Sequence, residues 1–384
     1  MLHRYRLMIP GPVEAEPEVL EEMGKPIKVH YGPEWTPYFY ETIELMKQVM
    51  FAEKSRLFLI PGPGTAALDA AIGNTIADGK KILVLTNGYF GNRFVQISKS
   101  YVKPELVRIV EAPMGGVIDP ADVERAFKKD KDIKVVALVH CETSTGVLNP
   151  VQEIAEICNR HGALLVVDAI TSLGGVEFRF DEWDIGICIT SSQKNLGLFP
   201  GIAPIAISER AWKMIEKTDC PGWYLNFKTW QKYLDKWGHW HPHPVTMPTN
   251  LIQALRRSCE SILEEGLAAR WERHSKVAKI VRKGFENLGF GLLAPQEIAS
   301  PTITAAKTDV RLSSKEIIAY LKEHHQILIA GGLDELEGKI FRVGHMGPTA
   351  TPQMVLPMLY ALEDALRAAN VPVKPEQSLM GLEV

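Results

Sequence analysis

The chain has 384 residues, 46% of them hydrophobic and 23% charged, with a formal net charge of −3. That length exceeds a single ordinary core and predicts more than one domain. The near-neutral balance gives no electrostatic reason to expect a nucleic acid or a membrane surface as partner. Five scattered cysteines without CxxC spacing argue against a disulfide framework. No apolar run approaches the ~18 residues of a membrane span. The first ten residues lack the apolar region of a signal peptide, and the expected location is cytoplasmic.

From about residue 55 to 210 short apolar runs alternate with helical patterns. Leu57 to Ile60 precedes a helix over Thr65 to Ile76, and Lys81 to Leu85 precedes one over Asn92 to Lys99. Val135 to Val139 precedes a helix over Val151 to Arg160. Leu164 to Val167, Ile185 to Ile189 and Ile202 to Ile207 follow as strands. Apolar strands without alternation, separated by helices, predict an α/β fold built on a mainly parallel sheet with helices on both faces. Residues 218–250, rich in Trp, Pro and His, break the pattern. An amphipathic stretch from Leu251 to Leu288 reads as one helix leading into a smaller C-terminal α+β domain. That domain is expected to hold a strand at Pro301 to Ala305, a helix at Ser314 to His324, a strand at Lys339 to Val343 and a last helix at Pro352 to Ala369. The predicted division is 20–250 for a large cofactor-binding domain, with 1–19 and 251–384 forming the small one.

The chemistry concentrates on Lys194, in Ser191-Ser192-Gln193-Lys194, 26 positions after Asp168 at the end of an apolar strand. An amine and a strand-end carboxylate in this order suit pyridoxal phosphate. The lysine forms a Schiff base, and the aspartate keeps the pyridine nitrogen protonated. Gly62-Pro63-Gly64-Thr65-Ala66 follows a strand and opens a helix, where free N–H groups and the dipole favour an anion. Gly64, Thr65 and Ala66 are therefore candidates for the cofactor phosphate, with Gln193 and Ser192 as neighbouring donors. Phe90, just after a strand, offers a face for a pyridine ring. The hydroxyls of Glu142-Thr143-Ser144-Thr145 follow the next strand. Arg342 ends a strand of the second domain and suits a substrate carboxylate. His239-Trp240-His241-Pro242-His243 spaces histidines alternately, but its prolines break regular strand and no acid or cysteine completes a ligand set, so no metal is expected.

Taken together, these residues resemble the fold-type I, class V aminotransferases, in the branch of alanine-glyoxylate and serine-pyruvate (serine-glyoxylate) aminotransferases. The markers are Pro10-Gly11-Pro12, Glu142-Thr143-Ser144-Thr145-Gly146-Val147, Val167-Asp168-Ala169, Leu173-Gly174-Gly175, Ser192-Gln193-Lys194, Thr246-Met247-Pro248 and Gly338-Lys339-Ile340-Phe341-Arg342-Val343-Gly344. The resemblance covers nearly the whole chain and implies a seven-stranded-type sheet. It also implies pyridoxal 5'-phosphate on Lys194, held by Asp168, Gly64, Thr65, Gln193, Phe90 and Thr143. Arg342 would bind the carboxylate of a small amino acid or 2-oxo acid, and the loops that hold Pro10, Gly11 and Tyr31 are candidates for setting side-chain selectivity. His243 and Thr246 would reach the cofactor of a second subunit, which implies a homodimer with shared sites. Phe90 stands where many relatives carry Trp, and His243 where many carry Tyr. Ile298 to Thr302 and Gly344 to Ala350 are also similar to pyridoxamine-pyruvate aminotransferase, which acts on free pyridoxamine and is the alternative activity.

Overall fold

The computed structural model describes residues 5–308 and 310–383. Seven strands form the central sheet: β1 (Arg56–Pro61), β2 (Lys81–Thr86), β3 (Val107–Glu111), β4 (Ile133–Val139), β5 (Leu164–Asp168), β6 (Ile187–Ile189) and β7 (Ile202–Ile207). Their spatial order is β1-β7-β6-β5-β4-β2-β3. Strands β3, β2, β4, β5 and β6 pair in parallel, and β7 runs antiparallel to both of its neighbours. Every residue of β5, β6 and β7 is buried, which requires cover on both faces and explains why these runs show no polar alternation.

The register sets the site. Val139 pairs with Asp168, and Asp168 with Ile189. The chain therefore leaves β4, β5 and β6 at one edge of the sheet, and the loops after residues 139, 168 and 189 open side by side. Ile202, the first residue of β7, pairs with Pro61, the last of β1, so the turn ahead of the helix Gly64–Ile76 opens at the same edge.

One core cluster draws on residues between Val19 and Ile262. A second unites Met8 with residues between Val277 and Leu366. The second cluster packs on an antiparallel sheet of β8 (Ile303–Lys307), β9 (Ala330–Gly331) and β10 (Ile340–Gly344), in the order β8-β10-β9. The N-terminus belongs to this half spatially, because Arg6–Leu7 pairs in parallel with Ile327–Leu328.

Three sequence expectations need correction. The stretch read as one helix from Leu251 to Leu288 is two, Thr249–Glu265 and Leu267–Asn287, broken at Gly266. Its φ of +79° is one that residues with a side chain rarely adopt. Residues 218–250 contain a helix, Phe227–Trp237, capped by the Asn226 side chain and anchored by buried Phe227 and Trp230. Trp, Pro and His content masked its three-residue apolar spacing. Strand β3 was not anticipated, because exposed Arg108 and Glu111 make it polar, as suits a sheet edge.

Candidate active site

Lys194 lies in the turn after β6, where its neighbours hold the backbone rigidly. The Ser192 hydroxyl donates to the Phe199 carbonyl at 2.6 Å, and the Asn195 amide donates to the Thr171 carbonyl at 2.7 Å. The Arg270 guanidinium ties the Asn195 carbonyl at 2.8 Å to the Gly174 carbonyl at 3.0 Å. The Lys194 amine donates to the carbonyl of Pro10. Gly11 is required there. A Cβ at position 11 would lie 2.6 Å from the lysine Nζ, and the residue has a φ of +121°. Pro10 and Gly11 thus form a wall of the lysine's channel. The amine is pushed down to about 8, first by burial and then by the positive charge of Arg342.

Asp168 ends β5 and is 3% exposed. One oxygen accepts the Ile170 N–H at 2.9 Å. Burial raises its carboxyl to about 7, the Ile170 bond opposes the rise, and the Glu142 carboxylate adds to it. Lys194 and Arg93 pull in the opposite direction. A cationic partner such as a protonated pyridine nitrogen would restore the charged form.

Arg342, in β10, is 5% exposed and spans the two halves of the chain. Its Nε donates to the Gly331 carbonyl at 2.8 Å, and one terminal nitrogen donates to the Thr143 carbonyl at 3.0 Å. Two of its five N–H groups are so committed, and the guanidinium is pushed down to about 10 by burial. The Thr143 hydroxyl shares a 2.7 Å hydrogen bond with Thr171, which sequence reading had not singled out.

At the mouth of the helix Gly64–Ile76 no side chain caps the first turn, and no acidic residue occupies it. The N–H groups of Gly64 and Thr65 are left for an anion, whereas that of Ala66, also expected at the phosphate, donates to the Pro63 carbonyl at 2.9 Å. Gly64 packs so closely on Ile170 that a Cβ would collide with it, which presses the helix terminus against the residues following Asp168. Thr65 is exposed and Ala66 half-buried at this mouth. Gln193 accepts from the Ser191 hydroxyl at 2.6 Å, so the geometry turns its carbonyl inward and leaves the amide end as a donor.

Phe90 is held by a carboxylate clamp. Glu142 accepts N–H bonds from Phe90 at 3.1 Å, Gly91 at 2.9 Å and Ser144 at 3.0 Å, and the Ser144 hydroxyl at 2.6 Å. Glu142 is fully buried, and Gly88 is where a Cβ would strike its side chain. A fully buried acid in the loop after a strand was the signal for this role, but sequence alone gives no burial. Arg93 was also missed. It lies one helical turn beyond Phe90 and donates to the Thr65 hydroxyl at 3.1 Å.

His243 departs from expectation. It is fully buried, its Nε2 accepts from the Trp35 indole at 2.9 Å, and its Nδ1 donates to the Val245 carbonyl at 2.8 Å. Both ring nitrogens are spent within the chain, so His243 is a structural residue with no nitrogen left for a cofactor. Tyr31, 45% exposed, sits edge-on or tilted in an aromatic group with His30, Trp240 and His241. Thr246 is exposed. Among the described residues no group of three or more His, Cys, Asp or Glu side chains is arranged to hold a metal, and no helix is long and apolar enough to cross a membrane.

The donor set fits pyridoxal phosphate chemically: a low-pKa amine, a desolvated strand-end carboxylate, a held aromatic face and an uncapped helix terminus. Residues 28–337 match the family described as aminotransferase class-V. An uncharacterized aminotransferase of Methanocaldococcus jannaschii is 40% identical over 96% of this chain and 94% of its own. The pyridoxamine–pyruvate transaminase of Mesorhizobium japonicum is 33% identical over 94% of this chain and 91% of its own. The solved alanine–glyoxylate aminotransferase of Nostoc sp. superposes with a TM-score of 0.90 at 34% identity, covering 96% of each chain. With the sheet, the strand-end carboxylate and the lysine turn already in place, these likenesses make the chain a class-V aminotransferase of fold-type I.

Proposed function

We propose that the protein uses pyridoxal phosphate to move an amino group between a small L-amino acid, alanine or serine, and glyoxylate or pyruvate. The observation that carries this reading is the meeting of three groups at one edge of the sheet. The amine of Lys194 is affected by the charges of both Asp168 and Arg342. When bound, the cofactor supplies a carbonyl that condenses with amines and a pyridine ring that draws electrons from the substrate Cα. Asp168 holds a proton on the ring nitrogen. Lys194 would take the proton from the substrate Cα through its Nζ, and its pKa, lowered to about 8, leaves more of that nitrogen unprotonated near neutral pH than in an ordinary lysine. Arg342 orients the α-carboxylate with the N–H groups not used on Gly331 and Thr143. Pro10 and Gly11 exclude water from the lysine.

The reading includes a homodimer in which Thr246 of one chain reaches the cofactor phosphate of the other. The exposure of Thr246 and of the aromatic group around Tyr31 and Trp240 supports it. Sedimentation should give twice the chain mass, and a fully active monomer would refute it.

The second reading, transamination of free pyridoxamine with pyruvate, is favoured by the likeness to the Mesorhizobium enzyme. The uncapped helix terminus at Gly64, suited to a phosphate, weighs against it. A donor–acceptor matrix separates the two, with L-alanine, L-serine, L-glutamate, L-aspartate and pyridoxamine tested against glyoxylate and pyruvate. Turnover led by alanine or serine supports the first reading. Turnover led by glutamate or aspartate refutes the small-donor assignment, and turnover of pyridoxamine without added pyridoxal phosphate selects the second.

A further inference from the structure

The geometry points to Arg93 as the residue that gives the cofactor phosphate its positive partner and so makes the site select a phosphorylated vitamer, an inference that rests on the pyridoxal phosphate reading above. A phosphate monoester carries about −1.5 to −2 charges near neutral pH. The groups assigned to it so far, the N–H groups at Gly64 and Thr65, the Thr65 hydroxyl and the Gln193 amide, are all neutral. Lys194 is committed to the carbonyl end of the cofactor, and Arg342 is fastened to Gly331 and Thr143 on the substrate side.

Arg93 is a cation placed at the other end. Its terminal nitrogen donates to the Thr65 hydroxyl at 3.1 Å, at the open mouth of the helix. Its guanidinium lies over the rings of Phe90, 4.8 Å from the centroid, and Tyr89, 5.2 Å from the centroid. This contact holds the long side chain flat and lowers the entropy lost on binding. Among the described residues it forms no ion pair. Its field nevertheless reaches Asp168, on which it acts as a cation. Because Thr65 accepts from Arg93, the threonine's own proton is turned outward as a donor. The planar fork and the hydroxyl together present three or more N–H and O–H donors to one anion. The same side chain would thus neutralise the phosphate.

The test compares pyridoxal 5'-phosphate with pyridoxal, which lacks the phosphate but can join Lys194 in the same way. Dissociation constants are measured by quenching of intrinsic fluorescence in the full chain freed of cofactor, for the wild type, Arg93→Met and Arg93→Lys. The wild type should bind the phosphorylated form far more tightly. Arg93→Met should weaken that form at least tenfold while leaving pyridoxal within twofold, which also verifies that the variant is folded. Arg93→Lys should recover part of the loss by restoring charge without the fork. A wild type that binds both vitamers equally would overturn the phosphate site itself, and this inference with it. A wild type that discriminates, with an Arg93→Met variant that discriminates equally well, would overturn the role of Arg93 alone.

Discussion

Replacing Asp168 with Asn separates the charge of the carboxylate from its shape, because the amide oxygen can still accept the Ile170 N–H. In the cofactor-free protein burial raises this carboxyl from 3.8 to about 7. A raised pKa means that the folded state holds the proton more tightly than the unfolded state. Stability is therefore unpenalised below the unfolded value, falls as pH rises between the two values, and carries the full penalty above the folded value. At about 1.4 kcal/mol per pH unit, the penalty is roughly 1.5 kcal/mol at pH 5 and about 4 kcal/mol at pH 8, as upper figures. Asn has no such penalty. Cofactor-free Asp168→Asn should therefore be more stable than the wild type, with an advantage that grows by a few kcal/mol between pH 5 and pH 8. Urea unfolding followed by fluorescence at several pH values reads this directly. The same variant should lose turnover by several orders of magnitude, on the order of 4 kcal/mol or more of barrier. Such a pairing is the signature of a group kept for chemistry at the expense of stability. An advantage that does not grow with pH, or an Asn variant less stable at pH 8, would refute the claim that the charge of Asp168 is uncompensated before the cofactor binds.

Lys194→Ala should abolish transamination while still binding the cofactor non-covalently, and borohydride should fix the cofactor to the wild type and not to the variant. In the wild type the neutral amine is the nucleophile, so the rate of cofactor attachment should climb with pH and level off above about 8; a flat profile would contradict the lowered pKa of the lysine. Gly11→Ala places a methyl group 2.6 Å from the lysine Nζ on a backbone with φ of +121°. Roughly 1–3 kcal/mol of stability should be lost and cofactor attachment slowed, as read by thermal unfolding and stopped-flow absorbance, and wild-type behaviour in both would show the wall to be soft. Glu142→Gln keeps one accepting oxygen but turns an NH2 donor toward either the N–H groups of Phe90 and Gly91 or that of Ser144. The expected cost is about 1–3 kcal/mol in thermal unfolding, with weaker cofactor binding, and an unchanged melting profile would refute the clamp.

The sequence by itself determined the elements whose physics is local. The uninterrupted apolar runs of β5, β7 and Val135–Val139 of β4 require burial on both faces, and the Gly-rich turn before the helix Gly64–Ile76 requires a tight approach there. Lys194, Asp168 and Arg342 stood out in the sequence as an amine, a strand-end carboxylate and a guanidinium, although Arg342 lies in the middle of β10 and not at its end as expected. Tertiary structure alone decided what depends on register and burial. The antiparallel run of β7 and the alignment of Val139, Asp168 and Ile189 belong to pairings between distant segments. The family resemblance placed His243 at a cofactor contact, but the approach of Trp35 and Val245 uses both of its nitrogens. Glu142 and Arg93 are ordinary charged residues in the chain. One becomes a fully buried clamp because the β4 loop folds against the helix after β2, and the other a cation at a helix mouth because that helix packs on the helix Gly64–Ile76, which no local pattern encodes.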